Sequence, residues 1–103
     1  MNVSDLRVGM RRVDVTVKVL EISEVREVTS RYDGKMHRVA TAVVSDDTGS
    51  IKLALWDDNI DRVGVNYVIR IENGYVTTFM GEPQLNVGRY GTLTVLGEGE
   101  EEE

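Results

Sequence analysis

At 103 residues, 41% hydrophobic and 29% charged, the chain has the size and balance of a single soluble domain with one modest core. The lack of cysteine removes disulfides and thiolate metal sites and suits a reducing cytoplasm, no apolar run nears the ~20 residues of a membrane span, and no basic-then-apolar secretory pattern opens the chain. The net charge of −6, taken alone, argues against a nucleic-acid partner.

Residues 3–12 read as a lead-in, with Ser4 or Asp5 capping a short helical turn that Gly9 ends. Val13, Val15, Val17 and Val19 then alternate with Asp14, Thr16 and Lys18, a β-branched pattern that predicts a half-buried strand. Val25 and Val28 suggest that this strand continues, bent or bulged. Tyr32-Asp33-Gly34-Lys35 has the chemistry of a tight hairpin. Residues 36–45 return as a strand, and Asp46-Asp47-Thr48-Gly49 turns into the next. In that strand Ile51, Leu53 and Leu55 share one side, and Lys52, Ala54 and Trp56 the other. The sole tryptophan therefore falls, by parity, on the outer face beside a cation.

Asp57 or Asp58 starts a short helix with Ile60 and Val63 as its apolar edge and Gly64 as its stop. Tyr67, Ile69 and Ile71 then share a face, which assigns Tyr67 to the core. After Asn73-Gly74, Tyr75, Thr77 and Phe79 share parity. Either side of that strand is apolar enough to be the buried one, so periodicity leaves the two rings open. Gly81-Glu82-Pro83 is expected to turn, Leu85 and Val87 to point inward, and Thr92–Leu96 to close the sheet. Residues 1–96 make one domain; residues 97–103 make an acidic tail expected to be disordered. Five of the eighteen acids lie in the last six residues. Without them thirteen acids face twelve cations, and a near-neutral body can gather its cations on one face.

Short strands with regular turns and one helical turn predict an all-β fold, a five-stranded Greek-key barrel of OB type with one short helix between strands 3 and 4. The single histidine, His37, lies beside a hairpin. No nucleophile–base pair, phosphate loop or metal-ligand spacing is visible, so no enzyme activity, cofactor or metal is expected.

Five segments, in order, resemble the crenarchaeal single-stranded DNA-binding proteins and their relatives in replication protein A and the sensor-of-ssDNA complex. They are Val15–Glu21, Asp46–Leu53, Leu55-Trp56-Asp57, Ile71–Tyr75 and Gln84–Gly88. The resemblance spans roughly residues 4–90. It implies an OB fold and non-sequence-specific binding of single-stranded DNA in replication, repair or recombination. Bases would stack on three aromatics, by position Trp56, Tyr75 and Phe79. Tyr75 stands where the crenarchaeal proteins have tryptophan, and Asn86 where metazoan relatives have a fourth aromatic. The Gly/Arg-rich segment of the crenarchaeal proteins has no counterpart here, so any affinity from a basic tail should be missing.

Backbone and polar contacts are expected from Lys52, Arg38, Arg89, Asn73, Gln84 and Asn86, and Tyr32 is placed to rim a groove. Two rival readings use the same fold: a protein-binding subunit of a replication protein A-like complex, and an RNA-binding module. The acidic tail is a candidate dock for basic patches on replication or repair proteins.

Overall fold

The computed structural model describes residues 1–98; the end of the acidic tail, residues 99–103, lies outside the described residues. Seven strands run in chain order: β1 (Arg11–Ile22), β2 (Arg26–Thr29), β3 (Met36–Asp46), β4 (Gly49–Trp56), β5 (Val68–Phe79), β6 (Glu82–Asn86) and β7 (Thr92–Gly97). Among the described residues one short α-helix, α1 (Asp58–Arg62), follows β4. Five of the strands close a ring in the order β1-β3-β4-β6-β5 and back to β1, all antiparallel except β4–β6. This is the expected five-stranded OB barrel. The helix follows the fourth strand here only because the short arm β2 is counted.

The alternation of β1 is realised directly: Val13, Val15, Val17 and Val19 are all buried. They meet Leu53 and Leu55 of β4, Ile69 and Ile71 of β5, and Leu85 of β6 in one core, with Ile60 and Val63 closing one end. Tyr67 packs against that core, partly buried. Sequestering such apolar surface is the main term holding a domain of this size together.

Five local expectations are corrected. The lead-in turn, a 3-10 turn at Val3–Asp5, starts from Asn2, whose N–H donates to the Asp5 carboxylate at 3.2 Å. The arm does not continue β1: the strand stops at Ile22, and β2 pairs separately with β3, Thr29 opposite Met36. Its loop is therefore wider than a tight hairpin, and the Asp33 carboxylate accepts the Lys35 N–H at 2.9 Å inside it. The β5–β6 turn is Met80-Gly81, both at positive φ, with Glu82 and Pro83 already in β6 opposite Phe79 and Thr78. Finally, β7 does not close the sheet. It pairs along the first half of β5, while closure comes from β1 on β5.

Candidate nucleic-acid interface

The outer face of β4, β6 and β5 carries rows of side chains fixed by register. Ala54, Asn86 and Tyr75 form one row; Lys52, Gln84 and Thr77 form the next; Glu82 and Phe79 lie beyond. Trp56, two residues past Ala54, occupies the opposite end. Trp56 is 45% exposed, Tyr75 39% and Phe79 41%.

Tyr75 faces outward because of a break in the pairing. Ile69 and Ile71 point into the core, and strict alternation would send Tyr75 after them. Between Ile71 and Gly74, β5 advances three residues while β1 advances two, from Val15 to Val13. Asn73, at φ 58°, sits in this bulge, and its N–H is held by the Asp14 carboxylate at 2.9 Å. A bulge of this kind re-aims every side chain after it. Gly74 takes the inward position, where a Cβ would come within 2.8 Å of the Asn86 carbonyl oxygen. Tyr75 and Phe79 then emerge on the solvent side.

Trp56 is positioned from the other end. Asp57, which follows it, has the strained φ of 50°. Its N–H donates to the Arg38 carbonyl at 2.9 Å, and its carboxylate accepts the Arg38 N–H at 3.0 Å and bonds His37 Nδ1 at 2.8 Å. These contacts hold the strand end from which the indole projects.

Two hollows flank the row of rings. A cleft of about 600 Å³ lies between Trp56 and the β2–β3 arm, with Ala54 and Val87 in its lining and Arg31, Tyr32 and Arg89 among its walls. A smaller pocket of about 280 Å³ lies between Tyr75 and Tyr90, walled by Arg11, Arg12 and Arg89. They share Val87, Gly88 and Arg89. Gly88 has φ +76°, and a Cβ there would approach the Tyr75 ring to 2.6 Å, so the ring packs close against bare backbone. Phe79 lines neither hollow; it stands about 13 Å along β5 from Tyr75.

The candidate polar residues divide sharply. Lys52 pairs with Glu82 at 2.9 Å. Arg38 pairs with Asp61 at 2.8 Å and donates to the Asp57 carbonyl at 3.1 Å, beside the helix, and lines neither hollow. Asn86 is only 8% exposed, and its amide nitrogen donates to Thr77 Oγ1 and the Gln84 carbonyl, each at 3.0 Å. Its amide is committed to tying β6 to β5. The Asn73 amide donates to the Tyr90 carbonyl at 3.2 Å, so this side chain fixes the far end of the β6–β7 connection. Gln84, half-buried, lies between Lys52 and Thr77 on the open face. Arg89 is exposed and shared by both hollows. Among the described residues Arg11, Arg12, Arg31 and Arg89 have no carboxylate or hydrogen-bond partner, and all four line these two hollows.

His37, on the wall of the larger cleft, bonds Asp57 at 2.8 Å and Asp33 at 3.3 Å. The Asp57 hydrogen bond, then that of Asp33, raises its pKa above 6.5. No group of side chains among the described residues is arranged to hold a metal ion, and no described helix is long and apolar enough to cross a membrane.

The family model for Ssb-like single-stranded DNA-binding proteins of OB fold matches residues 6–95. The chain belongs to this Ssb-like family. It is 38% identical over 86 residues to the single-stranded DNA-binding protein Ssb of Saccharolobus solfataricus, covering 84% of this chain and 57% of that protein. It is 36% identical over 72 residues to replication factor A of Methanothermobacter thermautotrophicus, covering 69% of this chain and 9% of that much longer protein. The solution structure of a replication factor A-related protein from Methanobacterium thermoautotrophicum superposes with a TM-score of 0.76 at 28% identity, over 93% of this chain and 89% of that one.

Within this Ssb-like barrel, sequence reasoning passed over Arg11, Arg12 and Tyr90 as partners of Tyr75. By parity with Val13, Arg11 belongs to the core-facing side. The Asn73-Gly74 dipeptide was the one local signal that alternation breaks nearby.

Proposed function

We propose that this Ssb-like domain binds single-stranded DNA without sequence preference, stacking bases on Trp56 and Tyr75 and, for longer strands, on Phe79. One observation supports the reading: half-exposed rings share one sheet face with two hollows lined by four arginines that have no carboxylate partner among the described residues. Stacking contributes about 1–3 kcal/mol per base and tolerates any base, since every base has a flat face. Arg31 and Arg89 stand beside Trp56 to hold phosphates, and Gln84 offers an amide to sugars or base edges. Duplex DNA, whose bases are already stacked on one another, offers these rings nothing. The names of the relatives support a role in replication.

Titration with oligo-dT, read by tryptophan fluorescence, tests this directly because Trp56 is the only reporter. Strong quenching is expected. Retained binding without quenching removes Trp56 from the site. Failure to bind any single strand, with stable co-purification of a protein, favours the subunit reading instead. Competition between DNA and RNA oligomers of equal length decides the nucleic-acid class.

A further inference from the structure

The pocket between Tyr75 and Tyr90 is built by an unusual stretch of backbone. Opposite Tyr75 and Gly74, β1 advances two residues, from Arg11 to Val13, while β5 advances one. Arg12 is the extra residue, at φ 56°. An arginine has no intrinsic preference for this left-handed conformation, and strain of this kind persists only where the surroundings impose it. Its consequence is specific. Arg11 shares parity with the buried Val13, yet Arg11 and Arg12 are both exposed and both line the pocket. Arg89 reaches the same space from the β6–β7 connection, and Tyr90, 80% exposed, forms its outer wall. Asn73 anchors the Tyr90 backbone there. Three guanidiniums without a carboxylate partner, gathered round about 280 Å³ beside an exposed phenol ring, repel one another unless an anion joins them. Guanidiniums suit phosphate because their planar fork matches its oxygens.

We infer that this pocket is a nucleotide subsite that continues the strand past Tyr75. Arg11, Arg12 and Arg89 take an internal phosphodiester, and the base beyond it lies on Tyr90. The inference rests on the single-strand reading above and adds a fourth ring, Tyr90, to the path Trp56–Tyr75. The occupant is a phosphate of the bound strand rather than a strand end, because the pocket lies open along the same face as the larger cleft and shares Val87–Arg89 with it.

The test compares the protein with the variant Arg11→Gln/Arg12→Asn/Tyr90→Ala, in which asparagine tolerates the backbone at position 12. Affinity is measured on an oligo-dT ladder lengthened one nucleotide at a time, with and without a terminal phosphate, and across a salt series. The unmodified protein should gain a step in affinity, about fivefold or more, at a length where the variant gains none. The variant's log–log salt slope should be shallower by up to about 0.7, the share of one phosphate contact on a single strand. Trp56 quenching at saturation should remain in both. Unchanged ladder and slope, with quenching intact, overturn the subsite and leave the single-strand reading standing. A step that appears only with the terminal phosphate overturns the internal-phosphodiester assignment. Absence of quenching with every oligomer brings down both.

Discussion

Trp56 and Phe79 stand at opposite ends of one sheet face, about 20 Å apart along the strands, and are almost equally exposed. Their electrostatic surroundings differ. Around Trp56 and Tyr75 the arginines that line the hollows have no carboxylate partner among the described residues, and the two hollows share Gly88 in their walls. Towards Phe79 the nearest cation on the register, Lys52, is neutralised by Glu82, which sits directly opposite Phe79. A ring can stack on a base wherever it is exposed. A ring beside free cations also meets a strand that is held by its backbone. The Trp56–Tyr75 half should therefore start the complex, and Phe79 should add to it only when the strand is long enough.

The largest expected effect is that of Trp56→Ala, a loss of about 1–3 kcal/mol of oligo-dT affinity with the domain still folded by circular dichroism. On short oligomers Phe79→Ala should cost clearly less. Equal losses on the shortest strand that binds would erase the difference between the two halves. Gly88→Ala comes next. Its Cβ must push the Tyr75 ring aside, and φ +76° adds backbone strain of about 1–2 kcal/mol. Gly81→Ala is the control, since it has the same strain at φ +82° with nothing within 4 Å. Both variants should lose thermal stability, but only Gly88→Ala should lose affinity for short strands. If Gly81→Ala weakens binding as much, the close contact between Gly88 and Tyr75 is not what aligns the ring.

The two halves were unequally legible in the sequence. Trp56 could be placed because Ile51, Leu53 and Leu55 claim the inner face within a few residues, and parity needs no distant information. The valines of β1 and the helix edge Ile60/Val63 were readable for the same reason. Tyr75 and Phe79 were not, because their facing is set by bulges shared between β1 and β5, segments some sixty positions apart such as Asp14 and Asn73. Charge pairing was hidden for the same reason: Lys52 with Glu82 and Arg38 with Asp61 are contacts made by the fold. Sequence parity marked Lys52 as a cation beside Trp56. Only the register of β4 against β6 shows it committed elsewhere.

A smaller change sharpens the electrostatic side of the comparison. Glu82→Gln leaves Lys52 with no carboxylate partner. If the pair is what silences this end, the variant should bind longer oligo-dT slightly more tightly and with a salt slope steeper by up to about 0.7, one added phosphate contact. An unchanged slope would mean that Lys52 lies off the path of the strand even when free. The pair itself is exposed, so its loss should change stability by well under 1 kcal/mol.

The smallest expected effect belongs to His37, on the wall of the Trp56 cleft. The groups around it are Asp33 from the arm, Asp57 ahead of α1, its neighbour Arg38, and Arg31 and Arg89 across the cleft. Hydrogen bonds to Asp57 and Asp33 raise its pKa, and both carboxyls are held below the ordinary range, Asp33 first by the Lys35 N–H and Asp57 first by the Arg38 N–H. Both acids therefore stay charged throughout the histidine titration. Because the folded pKa is the higher one, protonation stabilises the fold. That contribution is complete below about pH 6.5 and is lost as pH rises through the raised value. Over the same window the cleft loses a positive charge, so strand affinity should decline in parallel. His37→Gln should flatten both profiles across the histidine window, while Asp46, held near 2 by Thr48, is untouched by the change. Proton NMR of the imidazole supplies the direct check: titration at or below 6.5, or a binding profile that His37→Gln leaves unchanged, would separate this histidine from the Trp56 end of the face.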